Sequence, residues 1–192
     1  QQEKKMEGEA MTAIASNKDN IFNDKKSPAM GNKTAPATVV EFFDYQCGHC
    51  RQMAEIVEEL LAKDKNIYFI FKELPIFGAQ SAYAAKAALA AAQQSPEKYL
   101  KFHNALFESK KFSEADVLET AKKVGLNIAK LKKDMNSPAV DQEIRENFEL
   151  AKALKIPGTP VFIVANQAQT KFKFIPGATT LDDLQAQIKA VQ

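Results

Sequence analysis

The 192 residues contain two cysteines, Cys47 and Cys50, in the segment Phe43-Asp44-Tyr45-Gln46-Cys47-Gly48-His49-Cys50. A secreted chain stapled by disulfides usually carries several cysteines spread along its length. A single close pair points instead to reactive sulfur. One thiolate attacks a disulfide, and a neighbouring thiol releases the mixed disulfide that results. Cys47 takes the attacking role, and Cys50, one helical turn further in, the resolving one. Gly48 offers little steric cover over the sulfur. His49 can add a positive charge or a hydrogen bond to the thiolate. A packed or static disulfide pair is the alternative. Zinc needs about four ligands, and only His49 and His103 could join the pair, so no metal site is expected. His103 falls beside the Tyr99–Phe107 apolar face and reads as a packing residue.

Two further features bear on that chemistry. Glu41 lies mid-way along an otherwise apolar run. There its carboxylate would be desolvated, its pKa raised, and the group suited to taking the proton of Cys50. An edge-facing, solvated carboxylate is the plainer reading. Lys72 ends a neighbouring strand and either pairs with Glu41 or is a strand-end surface charge. Thr159-Pro160 opens a later strand, where proline removes a ladder donor and so calls for a reason.

The elements that must position these residues follow from pattern. Thr38–Phe43 predicts a strand buried on both faces. Met53, Ile56, Val57, Leu60 and Leu61 make a helical stripe, so the chain is helical from about Cys47 to Lys63. Ile67–Phe71 is a second buried strand, and strand, helix, strand predicts a right-handed βαβ unit. Helices then follow at 81–94, from the Ser95-Pro96 cap through Phe107, from Ser113 to Val124, near 127–135 and at 138–154. The last is given a buried face of Val140, Ile144, Phe148, Ala151 and Leu154. Val161–Val164 and Lys171–Ile175 read as strands, and Thr180 caps a final helix. The fold class is α/β, a thioredoxin-like layout over 34–192 with a helical insertion at 78–155. Residues 1–33 form an N-terminal arm, either mobile or a helix that docks on a partner subunit.

Composition narrows the rest. At 45% apolar and 26% charged residues the chain is that of a globular protein. A net charge of +2 is too balanced to argue for nucleic acid. No apolar run approaches the roughly 18 residues of a membrane span. The chain starts at Gln1 without a basic-then-apolar signal segment; a signal already removed and a trimmed start are both open.

Residues 39–50, Val-Val-Glu-Phe-Phe-Asp-Tyr-Gln-Cys-Gly-His-Cys, together with Gly158-Thr-Pro-Val-Phe162, resemble the bacterial DsbA-like branch of the thioredoxin superfamily. The similarity runs from about residue 21 to the C-terminus. It implies Cys47 as nucleophile, Cys50 as resolving thiol, and Pro160 as a cis-proline facing them. It also implies Thr159 and Pro160 as substrate-binding positions that tune the couple, and Glu41 as a buried acid. An exported, periplasmic protein is implied, acting on polypeptide thiols and disulfides and served by a membrane redox partner. The redox-active disulfide itself stands in for any cofactor. The Gly-His dipeptide is as in protein disulfide isomerases, and Thr159 as in dimeric bacterial disulfide isomerases. Both lean away from a purely oxidising role, and the arm has a counterpart in members that dimerise through such a segment, here residues 1–30. Two other classes fit the same residues: a holdase-type chaperone and a module handling soft ions such as copper.

Overall fold

A computed structural model describes residues 1–192. In chain order it has α1 (Gln2–Ser16), α2 (Lys18–Phe22), β1 (Ala29–Gly31), β2 (Ala37–Phe43), α3 (Gly48–Lys63), β3 (Ile67–Glu73), α4 (Ala79–Gln94), α5 (Pro96–Ser109), α6 (Glu114–Lys123), α7 (Ile128–Asp134), α8 (Pro138–Ala153), β4 (Val161–Asn166), β5 (Phe172–Pro176) and α9 (Leu181–Val191). The strands form one sheet in the order β1-β3-β2-β4-β5. β2 and β3 are parallel, as a helical crossover through α3 requires, and the other pairings are antiparallel.

Alternation along β2 divides the core. Ala37, Val39 and Phe43 face a cluster built with α3, α5, α9 and the inserted helices. Val40 and Phe42 face the opposite cluster with α1, α2 and α8. Glu41 shares the parity of Val39 and Phe43, and so points to the side that carries α3. The helices α4 to α8 lie between β3 and β4 in the chain. The starts of α5 to α8 are set by side-chain caps at Ser95, Ser113, Asn127 and Ser137, with Pro96 and Pro138 in the first turns.

The N-terminal segment departs from the expected arm at 1–33. Ala29–Gly31 is the edge strand, paired with β3. Ile14, Ile21 and Phe22 are buried in the second cluster. α1 lies along β5, and Lys155 Nζ reaches Glu9 Oε2 at 3.5 Å. Ile14 and the adjacent Ile21 and Phe22, set among polar residues, give too sparse a pattern to show that the sheet's own face receives them. Residues 1–9 form an unbroken exposed run, Met6 among them.

α8 is turned relative to the predicted stripe. Val140, Glu143, Asn147 and Leu150 are buried, while Phe148 is 42% exposed. The reason is polar. Glu143 accepts from Ser27 Oγ at 3.1 and 3.2 Å, and Asn147 Nδ2 donates to the Glu73 carbonyl at 2.9 Å. Exposing a phenylalanine forgoes about 1.5–3 kcal/mol of burial, whereas stranding a buried ion costs several kcal/mol. The polar face wins.

Candidate active site

Cys47 ends the turn after β2 and is the N-cap of α3, its sulfur accepting from the Cys50 N–H at 3.3 Å. The sulfur therefore sits where unpaired N–H groups and the helix dipole favour an anion. The Thr159 carbonyl lies 3.4 Å from Cys47 Sγ and accepts from the thiol. The Thr159–Pro160 peptide bond is cis. Thr159 Oγ1 is buried without a partner, placed to donate to sulfur once the proton has left.

These contacts lower the Cys47 pKa to about 5, the hydrogen bond from the Cys50 thiol first, opposed by burial and aided by the Thr159 hydroxyl and the N–H groups of Cys50 and His49. Cys50, fully buried, is pushed strongly upward, by burial first, then by its bond to Cys47 and by the Glu41 charge. The two thiols are thus pushed apart, Cys47 toward ionisation and Cys50 toward the protonated form. Both cysteines are free thiols.

Glu41 is 2% exposed, on the same sheet face as these cysteines. Its pKa is raised well above the ordinary carboxylate value by burial, then by Cys47. Gly48 is exposed and has no atom within 4 Å of where a Cβ would stand, so nothing crowds this position beside Cys47. The His49 ring is exposed, with Nδ1 3.4 Å from Gln52 Oε1. Its backbone N–H is among the groups that hold the Cys47 thiol below its ordinary pKa.

Lys72 does not meet Glu41. In the parallel register Glu41 stands beside Phe71 and Phe42 beside Lys72, so the two side chains leave opposite faces of the sheet. Lys72 Nζ donates instead to the Asn20 carbonyl and Ser27 Oγ, both at 2.7 Å. Its partners lie in the N-terminal segment, which strand patterning could not place.

The structure adds groups the sequence reading passed over. Glu73 Oε2 accepts from Tyr45 and Tyr99 hydroxyls at 2.8 and 2.7 Å, and Tyr45 Oη lies 3.0 Å from His103 Nδ1. His103 does pack among Phe43, Phe71 and Phe107. Burial lowers its pKa to about 3, so it is neutral. Asp44 is the second addition. Its carboxylate, 2% exposed, joins the Cys47 turn to the loop after β3. An apolar strand running into Asp-Tyr carries no signal for either role.

A DSBA-like thioredoxin domain matches residues 38–189. The chain belongs to that family. DSBA-like proteins are thiol–disulfide oxidoreductases that run on a redox-active disulfide. The chain is 28% identical to a probable disulfide bond formation protein D of Bacillus anthracis, covering 79% of this chain and 81% of that one. Among solved structures it resembles a thioredoxin-like oxidoreductase from Silicibacter pomeroyi at 40% identity and TM-score 0.82, over 91% and 96% of the two chains. It also resembles the thiol-disulfide exchange protein α-DsbA2 from Wolbachia pipientis at 31% identity and TM-score 0.86, over 95% and 96%. The five-stranded sheet with helices on both faces is the layout shared with these DSBA-like relatives.

Proposed function

We propose that this DSBA-like chain exchanges disulfides with exported polypeptides through Cys47 and Cys50, as disulfide oxidase, isomerase or both. The observation that carries the reading is the split pair: a Cys47 sulfur lowered to about 5 beside the Thr159 carbonyl, and a buried Cys50 pushed upward. In the oxidising direction a substrate thiolate attacks Cys47 of the disulfide, and Cys50 leaves as thiolate. A second substrate thiol then breaks the mixed disulfide, leaving both enzyme sulfurs reduced and the substrate with one new disulfide. In the isomerising direction the Cys47 thiolate attacks a wrong disulfide and releases one substrate sulfur. That sulfur, or Cys50, later displaces Cys47. Glu41 takes the Cys50 proton in the step where Cys50 attacks and returns it when Cys50 leaves.

Stabilising the thiolate favours the reduced form, so the couple gives up its disulfide readily. The same reading places the protein in an oxidising compartment such as the periplasm, with a membrane protein as electron partner. α1 is held to its own sheet by Ala10 and Ile14, and the exposed run 1–9 ahead of them is the surface offered to a second copy. The deciding measurement is the potential of the Cys47–Cys50 couple against glutathione. A value above about −150 mV sits with disulfide donation and one near −200 mV with isomerisation. A pair that never equilibrates with glutathione defeats the proposal. Sizing the chain with and without residues 1–9 tests the dimer, which fails if both run as monomers.

A further inference from the structure

Four large apolar side chains are exposed, and two of them, Ile76 at 39% and Phe77 at 55%, are adjacent in the loop after β3. A surface loop bearing neighbouring bulky residues would ordinarily be mobile, yet this one is tied down. Asp44 Oδ2 accepts from the Ile76 N–H at 2.7 Å and the Phe77 N–H at 3.0 Å. Asp44 Oδ1 accepts from the Gln46 N–H at 2.8 Å and Ser81 Oγ at 2.7 Å. The Asp44 carbonyl takes the Cys47 N–H at 3.1 Å. The Gln46 amide closes the link, donating to Ser81 Oγ at 2.7 Å and to the Phe77 carbonyl at 3.5 Å. One buried residue thus holds the turn that presents the reactive sulfur and the loop that presents two apolar side chains.

Four donors occupy all the lone-pair directions of this carboxylate. Such an arrangement needs an acceptor-only group. Asparagine in its place would turn an N–H₂ toward one pair of donors, and each pair includes a backbone N–H that cannot reverse its role. Nothing in the sulfur chemistry requires the clamp, since the Cys47 anion is held by the Cys50 N–H and Thr159. What the clamp fixes is where Ile76 and Phe77 stand relative to Cys47. Their exposure has a use if the substrate is an unfolded polypeptide, whose apolar side chains are bare beside its cysteines.

We infer that Asp44 is a positioning residue, which through its carboxylate holds Ile76 and Phe77 against the Cys47 turn as the contact for an apolar side chain adjacent to the substrate cysteine. The inference rests on the exchange reading above and specifies the polypeptides it favours. Without the clamp the loop must be ordered by the substrate, and that ordering is lost from affinity.

The test uses the pre-reduced full chain and two short peptides, each with one cysteine as its glutathione mixed disulfide, flanked by Leu in one and Ser in the other. The Cys47 thiolate attacks the peptide sulfur, the peptide–glutathione bond breaks, and glutathione thiolate leaves. Single-turnover rates against peptide concentration give a half-saturating concentration and a maximal rate. The wild type should prefer the Leu peptide, and Phe77→Ser should raise its half-saturating concentration about tenfold, as lost burial of part of an aromatic ring implies. Asp44→Asn should raise the same quantity about fivefold, lower the maximal rate less than about threefold, and add less than about twofold in a Phe77→Ser background, because the two act through one contact. An Asp44→Asn effect that persists undiminished in that background overturns the inference. If Asp44→Asn fails to fold, Phe77→Ser, at an exposed position, decides: equal preference for the Leu peptide with and without Phe77 overturns it. A wild type that reacts with both peptides equally overturns this inference and leaves the exchange function standing. A wild type inert to both overturns the two together.

Discussion

The backbone N–H of Cys50 donates to the sulfur of Cys47 across 3.3 Å, so one cysteine stabilises the other before any substrate arrives. This bond, with the Cys50 thiol and Thr159, holds Cys47 at about 5. Alkylation of Cys47 by iodoacetamide should therefore rise between pH 4 and 6 and be flat above, with its midpoint near 5. The depressed value stabilises the reduced fold. That contribution is complete above the ordinary thiol pKa and is lost as the pH falls through about 5. The melting temperature of the reduced protein should accordingly fall toward that of the oxidised form between pH 7 and 4. An alkylation midpoint near the ordinary thiol value of about 8.5 would remove the basis for the split pair.

Thr159→Val removes a buried hydroxyl that has no partner in the thiol state. Deleting an unsatisfied group in favour of a methyl of similar shape is close to neutral or stabilising. The midpoint of Cys47 should move upward while the melting temperature holds or rises. Loss of stability with an unmoved midpoint would show that the hydroxyl serves the fold and not the sulfur.

Glu41→Gln keeps the shape and removes the proton acceptor beside Cys50. Attack by Cys47 on a small disulfide should change little. Release of the mixed disulfide by Cys50 should slow by about a hundredfold, the scale of general-base assistance, as read by quenched-flow trapping of the adduct. The raised Glu41 pKa also means that its contribution to stability is present at low pH and lost as the pH rises. The Gln variant should lose less stability than the wild type on going from pH 5 to 9. An unchanged adduct lifetime would leave Glu41 without a part in exchange.

Lys72 lies on the far face of the sheet from Cys47, in a buried group with Ser27 and Glu143. Burial raises the Glu143 pKa to about 7, against the opposing pull of Lys72. Lys72→Met strands that carboxylate and should cost about 3 kcal/mol at pH 8, read by urea unfolding. The cost shrinks toward pH 5, where Glu143 is protonated and needs no cation. Exchange rates should stay within about twofold, since a site this far from the sulfurs couples weakly. A large fall in rate without a fall in stability would return Lys72 to the active site.

Much of this protein was legible from residue order alone. The CGHC pair, its place between a buried strand and an amphipathic helix, the βαβ unit, the inserted helices and their Ser-Pro and Ser-x-x-Asp caps are all local patterns. Burial of Glu41 could be inferred for the same reason, because its flanking residues are apolar on both faces. Tertiary structure decided whatever depended on which face a side chain leaves and what waits there. Parallel register sends Lys72 away from Glu41. A buried Ser27–Glu143–Lys72 group turns α8 so that Asn147 is inside and Phe148 outside. Asp44, the residue that follows β2, gathers four donors from three separate segments. Periodicity reports how a chain coils and which residues avoid water; it carries no information about partners brought together from distant positions. The sequence alone singled out Cys47 and Cys50 as the candidate reactive pair. Only the packed molecule determined what holds Cys47 as a thiolate and where the surface beside it stands.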